Sequence, residues 1–241
     1  MKRVKSKINV FNEETLNYVQ KFITNKDLRI LEVGFGSGDL GYELLKTGIA
    51  LTALDTDAKA VELAIKKGVP AKHLDFLSFK DDPFDIILFT RSLHHIHNLK
   101  KTLHHTKLLL KKGGKLIIED FDREMVDLNT TRWYYDTISI LSAIIREEKF
   151  SEYIKDPLKA WQEDHSHEPP LHSGKEMIKE IEENFGVIKI ERNAYLYRSI
   201  CSRLKDDETG YHITKRIFEI ENGLIAESFI LPNGLRIVAE N

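Results

Sequence analysis

The chain has 241 residues, 41% apolar and 31% charged, with a net charge of −2. That is room for one large α/β domain or a domain with an insertion, and the charge balance excludes steering towards a polyanion. No apolar run approaches the roughly 18 residues of a membrane helix, and no apolar segment follows Lys2, Arg3, Lys5 and Lys7, so neither a membrane span nor a secretory signal is expected. The lone cysteine, Cys201, excludes an internal disulfide and a Cys-rich zinc site and fits a reducing cytoplasm.

Residues 10–24 place Phe11, Leu16, Val19, Phe22 and Ile23 near helical spacing, with Asn12 and Thr15 offering a cap. Leu28, Ile30, Leu31 and Val33 then form a short run suited to a buried strand. Gly34, Gly36 and Gly38 follow at every second position, and Leu40, Leu44 and Leu45 recur at helical spacing until Gly48. Strand, glycine turn and helix open a nucleotide-binding α/β domain, because the backbone must turn tightly and let a ligand approach without a Cβ in the way. The loop alone leaves two readings. Gly36-x-Gly38-x-x-Gly41 satisfies the dinucleotide fingerprint, whereas Glu32 stands two residues before the first glycine of Gly34-x-Gly36-x-Gly38.

Residues 49–55 read as a second buried strand ending in Asp55, 21 residues after Gly34, where a carboxylate reaches a ribose in a βαβ unit. Asp57 fits the cap of the helix that follows. A short third strand over 70–74 leads into Asp75-Phe76. The fourth, 84–89, opens with Phe84-Asp85 and runs into Thr90-Arg91-Ser92-Leu93-His94-His95-Ile96. Leu99, Leu103, Thr106 and Leu110 mark a helix face, with Gly113 and Gly114 as its C-cap, and 115–120 reads as the fifth strand.

Three of these stretches carry a resemblance. Glu32-x-Gly34-x-Gly36-x-Gly38 resembles motif I of the class I S-adenosylmethionine-dependent methyltransferases. Phe84-Asp85 with Leu93-His94-His95-Ile96 resembles motif IV of their small-molecule branch, the type 11/12-like methyltransferases. Leu109-Leu110-Lys111-Lys112-Gly113-Gly114-x-Leu116-Ile117-Ile118 is similar to a frequent family element. The resemblance implies that Glu32, Gly34, Phe35, Gly36 and Gly38 hold the amino acid end of S-adenosylmethionine. It assigns the ribose to Asp55 with Thr56, and the adenine to Asp75 with Phe76. Arg91 and Ser92 line the methyl-transfer end. The fold it implies is α/β: a doubly wound, seven-stranded, mostly parallel Rossmann-like sheet with an antiparallel C-terminal strand.

Residues 123–171 depart from a minimal core. Trp133, Tyr134, Ile138, Leu141, Ile144 and Ile145 form a broad apolar helix surface, followed by Trp161 and a polar stretch from Asp164 to His172. In the family such an insertion forms a helical substrate lid. The expected organisation is therefore a cofactor-binding core over 1–121, a lid over 122–172 and the rest of the core over 173–241. Met177, Ile178, Ile181 and Phe185 mark a helix. Residues 187–197 alternate as an antiparallel strand would, 213–229 read as a helix interrupted near Asn222-Gly223, and 231–239 as a turn and last strand.

Methyl transfer is an in-line displacement that rests on positioning and, for a hydroxyl acceptor, on a base, for which histidine is suited. Among ten histidines, His94 or its neighbour His95 beyond the fourth strand, and His165 and His167 in the insertion, are candidate catalytic groups, with Asp120 at the end of the fifth strand to orient an acceptor. His165-x-His167 with Asp164, Glu168 or Asp120 has spacing for metal ligands, but no full ligand motif is present, so no metal is assigned. There is no N-P-P-Y or D-P-P-Y after the fourth strand, no Pro-Cys and no basic appendage, which disfavours nucleic acid. The expected function is methyl transfer from S-adenosylmethionine to an oxygen or nitrogen of a small molecule, in the cytoplasm, without nucleic acid or membrane partners. The competing readings are an NAD-dependent oxidoreductase using the same glycine loop and a non-catalytic S-adenosylmethionine-binding module.

Overall fold

The apolar runs become the middle of a sheet because both of its faces are covered, so residues of either parity must be apolar. In the computed structural model, which describes residues 5–145, 154–166 and 171–241, β1 (Ile30–Val33) is buried along its whole length. It lies between β2 (Leu51–Asp55) and β4 (Phe84–Thr90), parallel to both. With β3 (Ala71–His73), β5 (Leu110–Phe121), β6 (Gly186–Asn193) and β7 (Gly234–Glu240) they form one seven-stranded sheet in the order β3-β2-β1-β4-β5-β7-β6. The strands are mostly parallel, with one antiparallel strand at the C-terminal end.

The chain divides into two compact units. A sheet unit comprises Asn12–Phe121, Leu171–Glu191 and Leu235–Asn241, and a helical unit comprises Met1–Phe11, Asp122–Pro170 and Arg192–Gly234. In the sheet unit, alternate residues of the same strands feed two cores. Leu31, Val33, Ile87 and Phe89 pack with Leu103 of α4 (Leu99–Leu109) and with Met177 and Ile181 of α7 (Gly174–Asn184). On the opposite face Ile30, Ile86 and Leu88 pack with Leu44 of α2 (Asp39–Lys46), Ala64 of α3 (Ala58–Lys66) and Tyr18 and Val19 of α1 (Lys7–Gln20). Asp57 caps α3 through the Lys59 N–H, as its position implies.

Several sequence expectations are corrected here. Asn12 and Thr15 do not cap α1; the helix starts at Lys7, and both residues are buried within it. Gly113 and Gly114 do not cap α4. That helix ends at Leu109 with Leu110 as its cap, and β5 already begins at Leu110. The glycines instead form an irregular strand start where Phe84 pairs with Leu110 but Ile86 pairs with Lys115. The chain end fixes it: the Gly113 N–H donates to the Asn241 carbonyl at 2.9 Å and the Asn241 N–H to that of Gly114 at 3.0 Å.

The helical unit contains α5 (Leu128–Ile145), α6 (Pro157–Asp164), α8 (Leu196–Cys201) and α9 (Glu208–Ala226) around Tyr135, Ile138, Trp161, Tyr197 and Ile217. Helix α9 runs through Asn222 and Gly223 without interruption, and β6 stops at Asn193, so Tyr195 and Tyr197 start α8 rather than end a strand. Glu221 accounts for both differences. Buried in α9, its carboxylate accepts the N–H groups of Tyr195, Leu196 and Tyr197 at 2.7, 2.9 and 2.7 Å. Among the described residues no helix is long and apolar enough to cross a membrane.

Candidate functional site

In an open parallel sheet, ligands bind outside the carboxyl ends of the strands, where successive connections leave in opposite directions. Here that point lies between β1 and β4, and it carries a cavity of about 410 Å³. Gly34 and Gly36 after β1, Asp55 and Thr56 at the end of β2, Asp75 after β3, and Arg91 and Ser92 after β4 all line it.

The glycine loop has its composition for separate local reasons. Gly34 has φ +70°, and a Cβ there would fall 2.4 Å from the Ser92 Cβ. That close approach is fixed from the other side, because the Ser92 hydroxyl donates to the Val33 carbonyl at 2.6 Å. A Cβ on Gly36 would meet nothing within 4 Å, so this backbone borders open space. Gly38 caps α2 and packs on Ala64, and it does not border the cavity.

Asp55 is tied to the loop that it faces. Its Oδ2 accepts the Gly36 N–H and its Oδ1 the Asp57 N–H, both at 2.9 Å, leaving further lone pairs for hydroxyl donors. Asp75 accepts the Leu77 N–H through Oδ1 at 2.8 Å and starts a single 3₁₀ turn, Phe76–Ser78. Phe76 itself points into the core, edge-on to Phe89 with ring centroids 5.6 Å apart, while Leu77 lines the cavity. Phe35 is likewise a core residue.

Glu32 lies beneath the loop, 1% exposed, and does not line the cavity. Its Oε1 accepts the Thr90 hydroxyl at 3.1 Å, and among the described residues Oε2 has no partner. Burial dominates over that hydrogen bond and over the nearby Arg91, pushing its carboxyl up to about 7.

The segment beyond β4 supplies the rest of the wall. Leu93–His95 is a 3₁₀ turn, in which successive side chains point about 120° apart. His94 therefore turns inward and His95 outward. The His94 Nδ1 lies 2.5 Å from Asp120 Oδ1, and the His94 N–H donates to Asp120 Oδ2 at 3.2 Å, both side chains being buried. His95, whose ring centroid is 4.0 Å from that of His94, lines the cavity with Ile96, His97 and Asn98. The two-histidine motif marked His94 and His95 without separating them, and sequence reasoning missed Ile96, His97, Asn98 and Leu77. His165 belongs to the helical unit, where it stacks on Trp161. His167 lies outside the described residues. Among the described residues, no group of three or more His, Cys, Asp or Glu side chains is arranged to hold a metal ion.

A family model described as a methyltransferase domain matches residues 7–165. The chain is 26% identical over 124 residues to the ubiquinone biosynthesis O-methyltransferase of Coxiella burnetii, covering 48% of this chain and 53% of that protein. It spans about half the length of the curated relatives it matches. The structure of magnesium protoporphyrin IX methyltransferase from Synechocystis with bound S-adenosylhomocysteine aligns over 98% of this chain and 83% of that one, at TM-score 0.55 and 12% identity. The [4+2]-cyclase SpnF aligns over 95% and 81%, at TM-score 0.58 and 12% identity. Such identities establish a common fold, and the range of named activities on it leaves the reaction to be argued from the site.

Proposed function

The chain belongs to the methyltransferase domain family, and on that footing we propose that it moves a methyl group from S-adenosylmethionine to an oxygen or nitrogen of a small molecule. The observation that carries this reading is the convergence in one cavity of the open Gly36 backbone, the Asp55 and Asp75 carboxylates and the Arg91–Ser92 turn. A carboxylate at Asp55 suits two ribose hydroxyls, Asp75 suits the amino group of adenine, and the bare glycine backbone suits the amino acid end. S-adenosylmethionine, when bound, supplies an electrophilic methyl group on a sulfonium.

For a hydroxyl acceptor, His95 takes the proton: of the two imidazoles on the cavity wall, His95 and His97, it is the one whose ring packs on the anchored His94. The buried His94–Asp120 pair holds the turn that presents it. The curated relatives are named as O-methyltransferases, which favours oxygen. The single cysteine, buried as a free thiol, suits work in a reducing cytoplasm. The dinucleotide reading is not favoured. Its third glycine, Gly41, faces Val69 and the Glu32 carboxylate rather than the cavity, and the last strand is antiparallel where a dehydrogenase would continue with parallel units.

A thermal-shift series with S-adenosylmethionine, S-adenosylhomocysteine and NAD tests the cofactor. A ligand at about 100 times its dissociation constant stabilises by roughly 2.7 kcal/mol, a midpoint rise of roughly 5–10 °C for a chain of this size. The expected result is a shift with the first two and none with NAD; a shift with NAD alone overturns the proposal. Formation of S-adenosylhomocysteine only when a phenolic or amine acceptor is supplied separates an enzyme from a non-catalytic binding module.

A further inference from the structure

The helical unit carries a second cavity, of about 490 Å³, lined among the described residues by the segment after β5, by α6 and by His165 and Ser166 that follow it. Its wall is rigidly built. The Trp161 indole is 3% exposed and donates its Nε1–H to the Arg123 carbonyl at 2.9 Å. The His165 ring lies parallel to it, with centroids 3.8 Å apart and an interplanar angle of 24°, and is fixed by an Nδ1 contact of 2.9 Å to the Trp161 carbonyl. That carbonyl can only accept, so Nδ1 carries the proton. The Tyr135 hydroxyl donates to Asp164 at 2.6 Å and joins α5 to α6 behind this wall.

The cavity also holds a charged side chain. Arg123 is half-buried and donates one hydrogen bond, from Nη1 to the His165 carbonyl at 3.3 Å. Among the described residues no carboxylate pairs with it, whereas the half-buried Arg91, Arg192 and Arg236 each meet one, at 3.2, 3.0 and 2.7 Å. A guanidinium has five N–H donors in a planar fork that matches a carboxylate. A cation withdrawn partly from water without an anion leaves that capacity to a ligand. Val126 and Leu158 add apolar surface, and Glu124, also lining the cavity, disfavours a second negative charge on the ligand.

We propose that this cavity binds a small aromatic monocarboxylate, with its carboxylate on Arg123 and its ring against the His165–Trp161 stack. Nothing in this depends on the methyl-transfer reading, because no residue of the cofactor cavity takes part.

The test is calorimetric titration of the full chain with 1-naphthoate and with 1-naphthamide, which keeps the ring and removes the charge. The expected result is saturable binding at one site, with naphthoate about tenfold or more the tighter ligand, the range of a charge-assisted hydrogen-bonded pair. Arg123→Gln is expected to bring naphthoate down to the amide's affinity. His165→Ala should weaken both ligands, and His165→Phe should restore them. Lys159→Gln, on the exposed face of α6, should change neither. Equal affinity of the two ligands for the unaltered chain overturns the proposal without any variant, as does the absence of saturable naphthoate binding. Undiminished naphthoate binding by a folded Arg123→Gln protein also overturns it.

Discussion

Arg91 and Glu119 are joined twice: the Arg91 backbone N–H donates to the Glu119 carbonyl at 2.6 Å, and its guanidinium reaches the Glu119 carboxylate at 3.2 Å. The other carboxylate oxygen accepts two bonds from Arg236, at 2.9 and 2.7 Å, and Thr15 donates to the first at 2.6 Å. This buried carboxylate holds Arg91 in the left-handed region, at φ 61°, a conformation costing a non-glycine residue roughly 1–2 kcal/mol. Glu119→Gln leaves two guanidinium groups short of their anion and is expected to destabilise the protein by roughly 3–5 kcal/mol in urea unfolding. Arg91→Gly should be more stable than Arg91→Ala by about 1–2 kcal/mol, since only the glycine escapes the strain. Equal stability of the two variants would show that the left-handed turn at position 91 stores no strain.

Gly34 and Ser92 give a second test, of the cavity wall. Gly34→Ala puts a Cβ 2.4 Å from the Ser92 Cβ at φ +70°, adding overpacking to backbone strain, together roughly 2–5 kcal/mol. Removing the opposing Cβ with Ser92→Gly should recover the overpacking share in the double variant, although Ser92→Gly alone is destabilising because it loses the bond to Val33. The pair is expected to be non-additive by about 1 kcal/mol or more in a double-mutant cycle. Additive costs would sink the steric explanation.

The glycine loop, the strands around it and the acids at 55 and 57 were legible because each is written locally, in an apolar run bounded by turn residues. What stayed hidden depends on partners far along the chain. Gly113 and Gly114 read as a helix cap until Asn241, the last residue, holds them in a strand. Asn222-Gly223 read as a break, and a buried Glu221 bonded to the start of α8 keeps the helix whole. Arg236 and Glu119 pair at 2.7 Å beside the site at a separation of 117 residues, which no motif announces. Within the site, the Asp75-Phe76 pattern marked the right turn, but in a 3₁₀ turn the side chains rotate too quickly for adjacent residues to share a face. Leu77 thus borders the cavity where Phe76 does not.

Burial of Glu32 makes a pH dependence with a definite sign. Its carboxyl is pushed from 4.5 up to about 7, so between those values the folded protein keeps a proton that the unfolded chain has released. Stability therefore falls as pH rises through this window, by roughly 3 kcal/mol at 1.36 kcal/mol per pH unit, and the loss is complete above the folded value. Glu32→Gln keeps the shape without the charge. Urea unfolding at pH 5 and pH 8 is expected to show a smaller drop for the variant, by up to about 3 kcal/mol. Glu221, pushed the same way by its own burial, is present in both proteins and cancels in the comparison. An unchanged drop would mean that Glu32 is ionised in the folded state and finds its compensation elsewhere.

The two histidines after β4 carry different expectations although they are neighbours. His95 lines the cavity, whereas His94 is buried against Asp120. A base matters most when the acceptor hydroxyl is weakly acidic, so the loss on removing it should shrink for an acceptor that gives up its proton readily. His95→Gln should lower kcat by roughly 10²–10⁴-fold with a weakly acidic hydroxyl acceptor and far less with an acidic phenol. Asp120→Asn removes the charge that holds His94 but leaves the base in place, so kcat should fall alike with both acceptors. A His95→Gln enzyme that loses only a few-fold in kcat with the weakly acidic hydroxyl would exclude His95 as the base. If Asp120→Asn alone reproduced the acceptor-dependent loss, proton removal would have to run through the buried His94–Asp120 pair.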